Sequence, residues 1–251
     1  MLGALPVLLV SQVCGLSAIA LAVAVRGEGP AGWLVLLAVP ASLSGTVGLY
    51  AYYRGMAVGA MSVVAPVAGI SAAVPVTVGI ATGDRPSAAQ IVGIVLALCG
   101  VGLASREHQE DGASRLAAGF GLALLAALGF GGYFLPMHVA GHADFWWASL
   151  IFRATSLTLV ASAVALTRPR IALGRSDLAL VAAVGIGDTL GNVLFAASSS
   201  KGLVSVTSVL ASLYPLVTVA LARAVLRERI DRGQQVGVVA TLAGVALISA
   251  G

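Results

Sequence analysis

DRPSAAQIVGIVLALCGV at residues 84–101 and ERIDRGQQVGVVATLAGV at residues 228–245 are two copies of one pattern. Reduced to shared positions, Asp84-x5-Gln90-x2-Gly93-x6-Gly100 recurs 144 residues later as Glu228-x5-Gln234-x2-Gly237-x6-Gly244. Each copy begins in a short polar gap and runs into an apolar stretch. A repeated unit inside an almost wholly apolar chain is the mark of a membrane carrier built from two related halves.

Working outward, the 251 residues are 59% hydrophobic and only 10% charged. So few charges could not cover the surface of a soluble domain of this size. The charges are also segregated. Residues 1–25, 31–53, 55–83, 87–105, 116–143, 202–222 and 233–251 hold no Asp, Glu, Lys or Arg, and 145–167 and 178–200 hold one each. A span needs about 20 apolar residues to cross the ~30 Å hydrocarbon core. These runs lack the alternation of barrel strands, so helices must satisfy the backbone in lipid. Helices are expected at about 1–25, 31–53, 57–82, 87–105, 116–140, 144–167, 178–200, 203–226 and 235–251. The expected fold is therefore an all-α integral membrane protein with nine transmembrane helices. The first run has no basic residue ahead of its apolar stretch, which argues for a retained helix rather than a signal peptide. Gly27–Pro30, Gly83–Pro86 and Arg168-Pro169-Arg170 read as turns.

Overlaying the two copies extends the repeat. Gly48-x3-Tyr52-x6-Gly59 matches Gly191-x3-Phe195-x6-Gly202 at an offset of 143, and Arg26 matches Arg168 at 142. The expected organisation is a first repeat over 1–105, a linker at 106–115 and a second repeat over 116–251, four helices against five, in inverted relation. The unmatched helix, Leu116 to Ala140, has no partner in the first half. Its partner would precede Met1, so either that helix is absent or the true start lies upstream.

Residues Leu210–Thr218 (LASLYPLVT), Leu226–Ile230 (LRERI) and Gln234-x2-Gly237-x6-Gly244-Val245 resemble the C-terminal signature of the EamA family of the drug/metabolite transporter superfamily. The first half repeats it more weakly through Pro75, Asp84, Gln90, Gly93 and Gly100-Val101, and Phe152-Arg153-Ala154 resembles the family's Arg-aromatic helix start. The resemblance implies a carrier of ten helices in two five-helix repeats, exporting amino acids, metabolites or drugs across the bacterial inner membrane, with coupling to protons or ions in many members. The chain departs from the family in its nine helices, in Asp84 where a Glu is expected, and in lacking a basic tail.

Arg153 and Asp188 are the charged residues deep in spans. A charge at mid-bilayer costs about 2.5–3.5 kcal/mol even on the mildest scale, so each must face protein or water. One reading makes them a substrate- or proton-binding pair between the sixth and seventh helices; the other makes them a structural ion pair. Asp188 is the proton-coupling candidate, because burial raises a carboxyl pKa towards neutrality. Asn192, one turn later on the same face, is either a polar ligand contact or an interhelical hydrogen bond. Tyr133, Phe195 and Tyr214 are the expected apolar walls, against plain aromatic packing. Gly129–Pro136 is expected to interrupt its helix, bringing Tyr133 and His138 towards a cavity. Ser212, Tyr214 and Pro215 sit in the family-like motif, where Pro215 frees a carbonyl or simply kinks the helix. Trp146 and Trp147 read as an interfacial belt. Gly55-x3-Gly59 and Gly187-x3-Gly191 read as close-packing pairs. Asp84 and Glu228 look like first-turn charges of the helices that follow them.

No catalytic triad, metal-ligand spacing, phosphate-binding loop or in-span carboxylate pair occurs in the sequence, so neither an enzyme nor a cofactor is expected. The formal charge of +4 is spread over loops and is no nucleic-acid signal. The expected partners are a small organic solute and the lipid bilayer, with a coupling proton or ion; a homodimer is compatible with all of this. The competing readings are a non-transporting remnant or assembly subunit, and an intramembrane lipid-modifying enzyme. Loop arginines at 54, 106, 115, 168, 170, 175, 227, 229 and 232 favour an external C-terminus by charge bias, whereas the family places it in the cytoplasm.

Overall fold

The computed structural model of the chain describes residues 4–58, 68, 70–104, 113–169, 174–211, 213 and 232–250. Among them the α-helices are α1 Ala4–Arg26, α2 Ala38–Val58, α3 Ala73–Thr82, α4 Ala88–Ala104, α5 Ala113–Thr167, α6 Arg175–Ser199, α7 Val204–Ala211 and α8 Arg232–Ala250. Short 3-10 turns, Trp33–Leu37 and Ile70–Ala72, lead into α2 and α3. Leu5–Arg26, Trp33–Gly55, Gly121–Thr167 and Asp177–Ser199 are long and apolar enough to cross a membrane, and Ala73–Thr82, Ala88–Leu103 and Gln235–Ile248 form shorter apolar helices. The expected all-α membrane architecture is present.

Two of the expected elements differ in detail. The expected span 57–82 is described as α3 and its 3-10 lead-in, with 59–67 and 69 outside the described residues. The expected helices 116–140 and 144–167 form one hydrogen-bonded run, α5, whose single non-helical residue is Asp144 at φ −163°, ψ 106°. Asp144 is the N-cap of the second arm. Its extended backbone is the usual cap conformation, and Oδ1 accepts hydrogen bonds from the Trp146 and Trp147 amides at 3.0 and 3.2 Å.

The expected interruption at Gly129–Pro136 is absent: the helix continues through Pro136. A proline removes one amide donor, and one missing bond in a long helix is tolerated. The glycines serve packing instead. A Cβ on Gly131 would stand 2.6 Å from the Val74 side chain and 3.0 Å from the Ser71 carbonyl, and one on Gly48 would stand 2.9 Å from the Phe130 amide.

The chain divides into two compact units, Met1–Thr46 with Tyr133–Lys201, and Val47–Gly132 with Gly202–Gly251. Each draws on both halves of the sequence. In the first unit, α1 lies against α6 and α2 against the second arm of α5. Ser42 Oγ donates to the Phe152 carbonyl at 2.8 Å and Thr46 Oγ1 to Ser156 Oγ at 2.8 Å, so α2 and that arm advance in the same direction. A Cβ on Gly185 would run into the Ser11 backbone, and one on Gly15 into Thr189 Oγ1, so α1 and α6 also run parallel. The repeat overlay exchanges these two contacts, since it places α1 on the second arm and α2 on α6.

In the second unit the two motif copies meet. A Cβ on Gly93 would stand 2.7 Å from the Gly244 carbonyl; one on Gly100 would stand 2.5 Å from the Thr241 amide and 2.7 Å from the Gly237 carbonyl. Gly93 thus faces Gly244 while Gly100 faces Gly237, and α4 and α8 cross antiparallel. Corresponding helices running in opposite directions are what inverted repeats require. Ile94, Ala97, Ile248, Ala72, Val76 and Val209 form the core around the crossing. The first copy's polar residues close helix ends. The Ser87 amide donates to Gln90 Oε1 at 2.9 Å and the Gln90 amide to Ser87 Oγ at 3.2 Å, a capping box opening α4. Asp84 does not act on α4. Its Oδ2 accepts from the Ser205 amide at 3.0 Å, capping α7 across 121 residues of chain. Glu228 lies outside the described residues.

Gly100→Ala is expected to destabilise the protein by about 1–3 kcal/mol through overpacking of backbone on backbone. Gly102→Ala meets nothing within 4 Å and is expected to be neutral or slightly stabilising. Thermal unfolding of the two variants in detergent checks the contrast.

Candidate functional site

Within the first unit, three helices converge on Arg153. Its side chain is 1% exposed, a state a guanidinium tolerates only with partners. Nη2 donates to Asp188 Oδ2 on α6 at 2.6 Å, and Nη1 to Gln12 Oε1 on α1 at 2.7 Å. The guanidinium carbon stands 5.7 Å from the centroid of its neighbour Phe152. The expected Arg153–Asp188 pair therefore forms. Gln12, fully buried, was missed by sequence reasoning, although an amide in the middle of the first charge-free run is the signal that could have found it.

Asp188 is placed unlike its partner. Its side chain is 53% exposed, whereas Val181 and Phe195, seven residues away on either side and so at nearly the same helix angle, are 6% and 5% exposed. Yet Val184, one turn earlier, is 49% exposed and Gly191, one turn later, is exposed, so Asp188 lies at the edge of the exposed face of α6. An ionised carboxylate is costly in lipid, so at this edge Asp188 relies on Arg153 and suits water or a polar ligand on its open side.

Beside the pair lies an aromatic cluster. The Tyr133 ring centroid is 5.2 Å from Phe134, 5.3 Å from Phe152 and 5.4 Å from Phe195, and Phe134 is 5.1 Å from Phe195. The buried Tyr133 hydroxyl has no hydrogen-bond partner among the described residues. Tyr133 and Phe195, expected as walls, are therefore brought together with Arg153's neighbour Phe152, in tight packing. Asn192 is half-buried, and its Nδ2 donates to the Asp188 carbonyl of its own helix at 2.9 Å. That bond is intrahelical and uses one of the two Nδ2 hydrogens. Ser212, Tyr214 and Pro215 lie outside the described residues.

The expected close-packing pair Gly187-x3-Gly191 meets nothing within 4 Å. The glycines that let α1 and α6 approach are Gly185 and Gly15, and a Cβ on Gly15 would also stand 3.6 Å from Arg153 Nε. Packing at this contact depends on helix phase, which a spacing of four alone does not reveal. Gly59 lies outside the described residues.

At one end of the unit, Arg26 Nη1 donates to both oxygens of the buried Asp144 at 2.8 Å, and its Nε to Glu28 at 2.6 Å. Trp147 Nε1 donates to the Glu28 carbonyl at 2.9 Å. The turn between α1 and the Trp33 lead-in is set by Gly27 and Gly32, both at positive φ. Asp144 thus joins the end of α1 to the start of the second arm that carries Arg153.

Residues 117–250, more than half of the chain, match the model of the EamA-like transporter family. The chain belongs to this family. Its members are membrane transporters, so the protein is a multi-pass membrane protein with a transporter's role. One solved structure, named only as the crystal structure of a protein, superposes on 99% of this chain and 89% of its own with a TM-score of 0.85 at 17% identity, which shows a shared fold alone. No curated protein matches the chain.

Removing Asp188 strands a buried guanidinium. Asp188→Ala is expected to cost about 1–3 kcal/mol, below the roughly 3–5 kcal/mol of a fully buried pair because Asp188 is half-exposed. Adding Arg153→Leu should recover part of that loss, and a thermal-unfolding double-mutant cycle in detergent reads the sign.

Proposed function

We propose that the protein is a carrier of a small organic solute in a bacterial inner membrane, exporting it by alternating access of its two inverted repeats and coupled to protons through Asp188. The observation that carries this reading is the asymmetry of the ion pair. Arg153 is wholly enclosed, while Asp188 presents a half-exposed carboxylate at the edge of the exposed face of α6. A purely structural lock gains nothing from exposing one partner in mid-span.

In this reading, Asp188 alternates between holding Arg153 and holding a proton or a polar group of the solute. Arg153 and Gln12 keep the carboxylate positioned when it is charged. Tyr133 and Phe195 form the apolar wall, and Asn192 contributes its side-chain oxygen, one of its amide hydrogens being held by the Asp188 carbonyl. Tyr214 is retained on its position in the sequence motif. The antiparallel crossing of α4 and α8 supports alternating access, because inverted repeats supply two related conformations of one scaffold.

The test is flux in proteoliposomes under an imposed pH gradient, with amino acids, nucleobases and cationic drugs as candidate solutes. The wild-type chain is expected to move at least one of them in response to the gradient. Asp188→Asn is expected to reduce gradient-driven flux to the level of empty liposomes while leaving exchange at equal pH. Gradient-driven flux that survives in Asp188→Asn excludes the proton role, and absence of flux for every class tested counts against the carrier reading.

A further inference from the structure

The charge balance around Arg153 constrains what the site can take. The guanidinium is 1% exposed and keeps its proton throughout the physiological range. Among the described residues Asp188 is its one anionic acceptor, and the other acceptor, Gln12 Oε1, is neutral. Around the pair, α1 contributes Gln12 and Gly15, and α6 itself contributes Thr189 and Asn192. The first arm of α5 contributes Tyr133, whose hydroxyl lies within reach of both charges. The second arm meets α2 through Ser42 and Thr46. Of these groups only Tyr133 titrates, and a phenol is neutral near neutral pH. Arg26, Glu28 and Asp144 pair among themselves at the end of the unit. The site therefore has two charge states. With Asp188 ionised its net charge is zero. With Asp188 protonated, a buried guanidinium is left uncompensated, which is strongly unfavourable.

We propose that protonation of Asp188 frees Arg153 for a carboxylate, so that the solute is an aromatic or apolar monocarboxylate bound together with one proton. This assignment rests on the carrier reading above and names the class of its solute. With the proton on Asp188, the carboxylate of the solute takes over at Arg153 and the net charge returns to zero. A carboxylate matches a guanidinium in shape as well as charge, through paired N–H donors. Two buried donors, Arg153 Nε and the Tyr133 hydroxyl, have no hydrogen-bond partner among the described residues. A dianionic phosphate ester would leave the site net negative and a cationic solute would leave it net positive, so both are disfavoured in mid-span. Asp188 is the way in, because it is the half-exposed member of the pair. Tyr133, Phe152 and Phe195, packed ring against ring beside Arg153, receive the apolar remainder of the solute. Proton and anion then cross together and carry no net charge.

Benzoate, benzamide and benzylamine share one ring and differ in charge, so they separate the cases. Binding of each to the full chain in detergent is measured by equilibrium dialysis over about pH 6–8, where a carboxylate is ionised. Protein-free micelles set the background. Benzoate is expected to bind about tenfold more tightly for each pH unit lost, since every anion brings one proton with it. Benzamide and benzylamine should gain nothing on acidification. In Asp188→Asn the site is permanently in its proton-neutralised state. Benzoate affinity should then be independent of pH and, at about pH 8, exceed that of the wild type roughly 10²-fold. A variant that merely misfolds cannot gain affinity, and the wild-type series decides alone if Asp188→Asn does not fold. The proposal is overturned if benzoate fails to bind above background at the acid end, or if its affinity for the wild type is the same at every pH. Tighter binding of benzylamine than of benzoate, or a pH dependence that survives in folded Asp188→Asn, overturns it equally. Proton-linked benzoate binding without flux of any solute leaves the assignment standing and removes the carrier. Flux of other solutes with pH-independent benzoate binding removes the assignment alone.

Discussion

A guanidinium without water around it is the constraint from which the first unit is organised. Arg153 sits in a helix whose flanks are apolar and has to find acceptors among side chains. Asp188 and Gln12 supply them from two other helices. Each acceptor requires its helix to come close and in a fixed phase. Gly15 and Gly185 allow α1 and α6 that approach, while Ser42 and Thr46 tie α2 to the arm that carries Arg153. Asp144 then sets where that arm begins, by ending one helical stretch and capping the next.

The second unit solves a different problem with different means. It has no buried ion pair among its described residues, and its helices meet through backbone-close glycine contacts and a small apolar core. Without a hydrophobic difference between lipid and side chain, such close contact is the main source of helix association in a membrane. The two motif copies supply both halves of one crossing. A pattern repeated in sequence thus becomes a pattern meeting itself in space, with the two copies antiparallel.

Much of this was legible beforehand. The lack of charge over long runs dictated helices, and the repeated Gln-x2-Gly-x6-Gly pattern picked out the two helices, α4 and α8, that meet. Arg153 and Asp188 stood out because charge in mid-span is expensive wherever it occurs. Other features were hidden for identifiable reasons. Asp84 caps a helix 121 residues away, a long-range contact that sequence distance disguises. Gly129–Pro136 carries the composition of a broken helix, yet its glycines face neighbouring backbone and side chains, and the helix stays whole. Gly187 and Gly191 share the spacing of a packing pair but sit on the wrong side of α6.

Sequence alone determined the membrane-spanning helical class, the recurrence of one glycine pattern and the two charged residues that must be accounted for. These depend on composition, period and the price of charge in lipid, which are properties of the chain before it folds. Tertiary structure alone decided that Gln12 is the second acceptor on Arg153, whose Nε is left without a partner among the described residues, that Asp188 is the exposed partner, and that Asn192 is bound to its own helix. Those outcomes depend on the rotational phase of each helix against its neighbours, and phase is set only when the close contacts form.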